Sequence, residues 1–201
     1  LLFLPMFGSI VGGLLGRKIG VTGSQIVTTG CLIISALLSI VAFYEVALNG
    51  YSVSIHLGSW MDSEIMDVSW GFLFDNLTVS MLLPVLIVSA LVHVFSIDYM
   101  SADPHNQRFF SYLSMFTFFM LILVTGENYL IMFVGWEGIG ISSYLLINFW
   151  FTRIQANKAA IKAMLINRIG DFSLLLAIFA IYFVFNSLDY DTIFSLTPLM
   201  L

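Results

Sequence analysis

One carboxylate stands inside a strongly apolar segment of this chain. The stretch FVGWEGIGISSYLLINFW, residues 133–150, places Glu137 about eight residues into a segment long enough to cross a bilayer. An ionisable group at the bilayer centre costs at least about 2.5 kcal/mol, so its presence indicates a function. A desolvated carboxylate holds its proton tightly and a mobile cation releases it, so Glu137 can exchange a proton. The alternative is a protonated Glu137 that only hydrogen-bonds across a helix interface.

Two polar side chains share a helical face with this carboxylate. At about 100° per residue, Tyr144 and Asn148 fall within about 20° of Glu137. Carboxylate, phenol and amide would form a line toward one membrane surface, as a hydrogen-bonded proton path requires. Three nearby glycines remove side-chain bulk and let a neighbouring helix or water approach: Gly135, Gly138 and Gly140.

Further charges lie in the apolar segment 159–185. Arg168 and Asp171 are three residues apart, which places them on one side of a helix and predicts an ion pair. The pair either fixes helix packing or takes part in proton transfer, and loss of one partner would strand a charge in hydrocarbon. Asn167 shares the face of Asp171. Lys162 projects roughly opposite and either snorkels to the membrane surface or joins the proton path.

A titratable ring occurs in the segment 72–95. His93 lies near the end of this segment, in LVHVFSIDYM, and Pro84 removes a backbone hydrogen bond in mid-helix. Imidazole titrates near physiological pH and suits proton transfer. The alternative is a packed or solvated histidine without a role in transfer.

The composition is that of a membrane protein. The chain is 60% hydrophobic and 9% charged, with a mean hydropathy of +1.00, which leaves too little polar surface for a soluble globule of 201 residues. The sequence contains no basic patch typical of nucleic-acid binding. It also contains no phosphate-binding glycine loop and no cysteine or histidine cluster for iron–sulfur or haem. We therefore expect no redox centre in this chain.

Six apolar segments have the length of membrane spans. They lie at about 1–16, 26–48, 72–95, 109–125, 129–150 and 159–185. In the first segment the charges follow the apolar run, unlike in a secretory signal, so we predict a span. The expected fold class is all-α, a polytopic transmembrane helix bundle that forms one domain over residues 1–201. The connection 49–71 alternates partly with period two and predicts a short hairpin on the membrane surface.

The charges of the connections predict the topology. Basic residues follow the first, third and fifth segments: Arg17, Lys18, Arg108, Arg153 and Lys158. Acidic residues follow the second, fourth and sixth segments: Asp62, Glu64, Asp67, Glu127, Asp189 and Asp191. By the positive-inside rule the basic connections face the inner side, so the chain start faces the outer side.

Four blocks of sequence, taken together and in this order, resemble the antiporter-like subunits of respiratory complex I. The blocks are FDNLTVSML, LVHVFSIDYM, LVTGENYLIMFVGWEGIGISSYLLINFW and NKAAIKAMLINRIGD, and the resemblance extends over nearly the whole chain. The last block and the aromatic-rich YLLINFWFTR are more similar to mitochondrial subunits than to bacterial cation/proton antiporter subunits.

The resemblance implies a core membrane-arm subunit of the proton-pumping complex, built on an inverted repeat. Protons leave the matrix while quinone is reduced in other subunits. Glu137 then takes part in proton transfer, and Arg168 and Asp171 belong to the same polar axis. His93 matches a family histidine of the third span. Family members also use a lysine on a broken seventh span and a long lateral helix, neither of which occurs in this sequence.

The resemblance also implies the surroundings of the chain. FMN, the iron–sulfur clusters and ubiquinone belong to other subunits. The partners are the other membrane-arm subunits, including neighbouring antiporter-like subunits, together with the lipid bilayer and protons, and exclude nucleic acid. The location is the mitochondrial inner membrane, with the chain start on the intermembrane-space side. Because the chain begins on Leu1 and ends in the apolar run LTPLML, we expect the N-terminal fragment of a longer subunit or one piece of a split gene.

Two other functions stay open at this point. One is a cation/proton antiporter subunit independent of electron transfer, which sodium dependence and insensitivity to quinone-site inhibitors would favour. The other is a purely structural subunit of a membrane arm. Assembly without loss of pumping in charge-neutralising variants would favour that hypothesis.

Overall fold

The protein folds as an antiparallel bundle of helices with a β-hairpin at one end. The computed structural model describes residues 1–63 and 66–200. This part of the chain contains seven α-helices: α1 (Phe3–Leu14), α2 (Gly16–Phe43), α3 (Asn76–Tyr99), α4 (Asn106–Thr125), α5 (Tyr129–Ile147), α6 (Ile154–Phe185) and α7 (Tyr190–Met200). A π-helical turn, Tyr44–Leu48, extends α2. Two strands precede α3: β1 (Val53–Asp62) and β2 (Asp67–Phe74).

Five helices have the length and composition of membrane spans, which confirms the predicted all-α transmembrane fold. They are α2 with its π turn, α3, α4, α5 and α6. The shortest, α5, has 19 residues and extends about 28 Å, close to the thickness of the hydrocarbon core. The apolar helix α1 has 12 residues and extends about 18 Å. It is therefore shorter than the span predicted over residues 1–16.

The start of α2 also differs from the prediction. Hydropathy places the second span at 26–48, whereas α2 begins at Gly16. Gly20 interrupts the early part of this helix with a φ of 82°, a left-handed conformation that costs glycine little. Arg17 and Lys18 therefore lie before the kink, in helical conformation. A hydropathy window misses the first turn of α2 because Arg17 and Lys18 lower the mean hydropathy of that segment.

Successive spans run in opposite directions, which brings the basic connections to one end of the bundle. At this end Gln25 of α2 donates to Asn106 of α4 at 3.2 Å. Arg108 of α4 donates to the carbonyl of Phe149, which follows α5, at 3.1 Å. We call this the basic end, and the hairpin lies at the other end.

Small polar residues pack α1 between α2 and α4. Ser9 Oγ donates to the Ser111 carbonyl at 2.9 Å, and Ser111 Oγ donates to the Ser9 carbonyl at 2.8 Å. A Cβ at Gly12 would lie 3.2 Å from both Ser24 Oγ and Thr28 Cγ2. Close contacts of this kind are typical of helices in membranes, where apolar burial alone does not favour a protein neighbour over lipid.

The hairpin lies in the connection between α2 and α3. Its strands pair antiparallel, with Val53 opposite Phe74. Pairing therefore continues three residues beyond the segment 49–71 that the sequence marks as a surface connection. Both faces of the first strand are largely exposed, so the weak alternation of this segment does not produce a buried face. Glu64 lies outside the described residues.

A buried carboxylate attaches the hairpin to the helices. Ser69 Oγ of β2 donates to Glu127 Oε1 at 2.6 Å, and His56 Nδ1 of β1 lies 3.1 Å from the same oxygen. Asn128 Nδ2 donates to the Ser69 carbonyl at 2.8 Å. Glu127 and Asn128 lie in the short connection between α4 and α5. The hairpin is therefore held against the ends of these two helices, of which α5 carries Glu137.

Glycines in α5 permit close packing against α4. A Cβ at Gly135 would lie 2.5 Å from the backbone nitrogen of Leu123, and Gly138 likewise has no room for a Cβ. Gly140 faces α6 instead, and its Cβ would lie 3.8 Å from Nδ2 of Asn167. One glycine-rich segment therefore packs closely on one neighbour and leaves space toward the other.

We predict that Gly135→Ala destabilises the protein by about 1–3 kcal/mol, because the added methyl group meets backbone atoms that cannot rotate away. Gly140→Ala is the matched control, since the same methyl group there meets only the end of a side chain. The measurement is the thermal unfolding midpoint of the detergent-solubilised protein. Equal midpoints for the two variants would show that α4 and α5 do not pack as described.

Candidate functional site

The packing of α5 against α6 brings the two central charges together. Arg168 Nη1 lies 2.8 Å from Glu137 Oε1, the distance of a charge-assisted hydrogen bond. The Glu137 side chain is 24% exposed and that of Arg168 56%. Both residues lie in the central part of their helices. In a bilayer this ion pair would therefore lie deep in the hydrocarbon.

Asp171 adds a second carboxylate from the next turn of α6. Its Oδ2 lies 3.9 Å from Arg168 Nη1, which is too long for a hydrogen bond but close enough for electrostatic attraction. Its Oδ1 accepts a hydrogen bond from Trp136 Nε1 at 2.8 Å. We call Glu137, Arg168 and Asp171 the charge cluster. Its guanidinium faces two carboxylates and is hydrogen-bonded to one of them.

This arrangement contains the predicted pair of Arg168 and Asp171 and adds a closer partner for the arginine. The spacing of Arg168 and Asp171 correctly brings them near one another, but the shorter contact of Arg168 is with Glu137 on the neighbouring helix. Spacing along one helix cannot identify a partner on another. Sequence reasoning missed Trp136 altogether. The available signal was an indole N–H beside Glu137 in an apolar segment, where lipid offers this donor no acceptor and a protein group must supply one.

A cavity of about 410 Å³ opens beside the charge cluster, between α4, α5 and α6. Ser143, Asn167 and Asp171 supply polar groups to its lining, and Phe116 and Met120 of α4 supply apolar groups. A water molecule occupies about 30 Å³ and needs two to four polar partners, so the cavity has room for water beside its polar groups, although most of its lining is apolar. Asn167 therefore lies with Asp171, as its position on the same helical face predicts.

His93 lies in a different polar chain, between α3 and α4. The residue is fully buried, which excludes the solvated alternative. Nδ1 lies 2.9 Å from the Ser89 carbonyl and Nε2 lies 3.2 Å from Ser114 Oγ. A carbonyl only accepts, so Nδ1 carries a proton and the lone pair of Nε2 faces the Ser114 hydroxyl. The Ser89 and Thr117 hydroxyls lie 2.6 Å apart and form a second polar contact across the same interface.

The other predicted site residues lie around the charge cluster without joining it. Tyr144 is half-buried on α5, about two turns from Glu137 toward the basic end. Asn148 is the C-cap residue that follows Ile147, and its backbone N–H still donates to the Tyr144 carbonyl one turn earlier at 3.0 Å. Asn148 Oδ1 is buried without a hydrogen-bond partner among the described residues. Lys162 is exposed on α6, less than two turns before Arg168.

Two family models match parts of the chain. The one described as NADH-Ubiquinone oxidoreductase (complex I), chain 5 N-terminus matches residues 60–110. The one described as NADH:quinone oxidoreductase/Mrp antiporter, TM matches residues 126–201. The second match contains the whole charge cluster.

Curated relatives resemble the chain closely over part of their length. The chain is 77% identical over 198 residues to NADH-ubiquinone oxidoreductase chain 5 of Mycosarcoma maydis, and 71% identical to that of Cryptococcus neoformans var. grubii. The alignments cover 98% of this chain but only 29% and 30% of the two relatives. The chain therefore spans about three-tenths of the length of these relatives.

A solved structure shares the fold. It is described as the structure of the membrane-bound sulfane sulfur reductase, an archaeal respiratory membrane complex, and one of its chains matches with a TM-score of 0.79. The match covers 92% of this chain and 37% of that chain at 19% identity. At this identity the likeness concerns the helical architecture and not the chemistry.

We predict an energetic coupling between Arg168 and Glu137. Arg168→Met leaves a carboxylate without its hydrogen-bonded cation, whereas Arg168→Met combined with Glu137→Gln removes both charges. We expect the double variant to be more stable than the sum of the single effects by about 0.5–3 kcal/mol. The measurement is the thermal midpoint of the solubilised protein, with Lys162→Met as a control for loss of a cation from α6. Additive effects would contradict the ion pair.

Proposed function

This chain belongs to the NADH-ubiquinone oxidoreductase chain 5 family, and we propose that it moves protons across the membrane as part of that oxidoreductase. The observation that carries the proposal is the 2.8 Å contact between Arg168 Nη1 and Glu137 Oε1, made between two apolar helices. Because the chain spans only about three-tenths of its relatives, the activity of the complete protein is part of the proposal.

In this mechanism the position of the Arg168 guanidinium determines whether Glu137 is ionised or protonated. While Arg168 donates to Glu137, the Glu137 carboxylate is stabilised without a proton. When Arg168 moves to Asp171, Glu137 becomes a desolvated anion and takes up a proton at its carboxylate. The return of Arg168 expels that proton. A short movement of one side chain thus converts a conformational change elsewhere in the complex into proton uptake and release.

Water beside α5 and α6 would deliver the proton. The cavity next to Asp171 brings water close to the cluster, with Ser143 and Asn167 as hydrogen-bond partners. Tyr144 and Asn148 would extend this route toward the basic end. The unpartnered Asn148 Oδ1 supports this role, since a buried carbonyl oxygen of this kind is a place for water. Lys162 is a further member of the proposed path.

His93 would act as a second proton-transfer group. Its Nδ1–H is held by the Ser89 carbonyl, which leaves Nε2 to exchange a proton with Ser114 Oγ. The hydroxyls of Ser89 and Thr117 form a neighbouring hydrogen-bonded pair between α3 and α4. Held in this way, the ring can take up and release a proton at Nε2 without first having to rotate.

The electron carriers would lie in other subunits. We propose that FMN, the iron–sulfur clusters and ubiquinone are bound outside this chain, and that neighbouring antiporter-like subunits of the membrane arm are its partners. The proposed location is the mitochondrial inner membrane, with the basic end in the matrix. The positive-inside rule supports this orientation.

A cation/proton antiporter subunit is the second candidate. The family model that matches residues 126–201 is described by both names, quinone oxidoreductase and Mrp antiporter. The two functions differ in the energy source. Proton movement that depends on NADH oxidation and stops with quinone-site inhibitors supports the first, and movement that depends on a sodium gradient supports the second.

The proposal predicts that Glu137→Gln leaves the complex assembled and reduces the number of protons moved per NADH oxidised. The amide is nearly isosteric with the carboxyl group but cannot take up a proton at this site. The measurement is NADH-driven acidification of membrane vesicles, with assembly checked by native electrophoresis. Glu45→Gln, the same change at an exposed residue of the π turn, is the control. Unchanged proton movement in an assembled Glu137→Gln complex would refute the proposal.

A further inference from the structure

The indole of Trp136 contacts the charge cluster without being charged itself. Its Nε1–H donates to Asp171 Oδ1 at 2.8 Å, across the same helix interface that Glu137 and Arg168 bridge. The Asp171 side chain is 10% exposed. A largely buried carboxylate with few polar neighbours depends strongly on each hydrogen bond that it accepts.

This hydrogen bond gives the two carboxylate oxygens of Asp171 different surroundings. Oδ1 is held by the indole, and Oδ2 is left 3.9 Å from Arg168 Nη1. Glu137 Oε1 is 2.8 Å from the same nitrogen. While Arg168 stays on Glu137, Asp171 would have to move or rotate to bring Oδ2 within hydrogen-bond distance of the guanidinium, and such a movement would strain the bond to the indole. The two carboxylates therefore do not compete for Arg168 on equal terms.

We propose that Trp136 is a positioning residue that holds Asp171 back from Arg168 and thereby keeps the guanidinium on Glu137. The inference rests on the proposed function, in which Arg168 pairs with either Glu137 or Asp171. It assigns to Trp136 the balance between these two states of the charge cluster. The indole sets how readily Arg168 moves to Asp171. It exchanges no proton itself, and its effect on Glu137 passes through Asp171 and Arg168.

The variant Trp136→Phe tests the N–H group while it keeps an aromatic ring. Without the indole, Asp171 is free to approach Arg168, and Glu137 then loses its cation more often. A carboxylate without its cation keeps its proton to higher pH. We therefore expect the acid limb of the pH profile of proton movement to shift upward by up to about one pH unit, since the lost hydrogen bond acts on Glu137 only through Asp171 and Arg168.

The chain offers a matched control at the basic end. Trp150 Nε1 donates to Asp103 Oδ2 at 2.9 Å, the same pair of groups at a similar distance. Asp103 lies in the exposed connection between α3 and α4, where the backbone N–H of His105 lowers its pKa. Trp150→Phe removes the same kind of hydrogen bond away from the charge cluster. It should leave the pH profile unchanged.

The experiment measures protons moved per NADH oxidised, from pH 5.5 to 9 in about half-unit steps, in vesicles that contain the assembled complex. Asp171→Asn is compared with Asp171→Asn combined with Trp136→Phe. If the indole acts through Asp171, the second substitution causes no further shift once the carboxylate is gone. A further shift in this background would overturn the inference.

The remaining outcomes separate the inference from the proposed function. If Glu137→Gln lowers proton movement and Trp136→Phe leaves the pH profile in place, the positioning role is wrong while the proposed function stands. The same holds if Trp136→Phe only lowers the amount of assembled complex, since that result indicates a purely structural role. If Glu137→Gln has no effect in the assembled complex, the proposed function itself fails.

Discussion

The structure depends on how charges inside apolar helices are neutralised. A carboxylate or guanidinium in hydrocarbon has an unfavourable free energy. An oppositely charged partner on another helix offsets part of it and fixes the position of the two helices relative to one another. Arg168 of α6 meets Glu137 of α5 in this way. Trp136 and Asp171 add a second polar contact between the same helices. Two contacts in succession set the register of α5 and α6, which apolar side chains alone would leave open.

Small residues make this pairing compatible with the rest of the bundle. Gly135 lets α5 pack closely on α4, and Gly140 leaves space toward Asn167 on α6. Close packing on one side and space on the other explain why the cavity lies next to Asp171 and not between α4 and α5. The same glycine-rich segment that carries the carboxylate therefore also determines where water has room.

In the described part of the chain, the groups proposed for proton transfer form two separate polar centres rather than one continuous line. The charge cluster lies between α5 and α6, and the polar contacts of His93 with Ser89 and Ser114 lie between α3 and α4. Phe116 and Met120 of α4 line both the cavity beside Asp171 and the apolar groove beside the Ser89–Thr117 pair. Protons that pass from one centre to the other would have to cross this apolar layer.

The sequence by itself determined the membrane class, five of the six predicted spans, the gathering of basic connections at one end and the set of interior ionisable groups. These follow from composition and local periodicity, which act over a single helix. The tertiary structure alone decided that Arg168 belongs to Glu137, that Trp136 holds Asp171, and that His93 is buried against Ser114. It also ended α5 before Asn148 and shortened α1. The reason is that packing and register between helices determine which residues on different helices meet. The spacing of residues along one helix specifies neither.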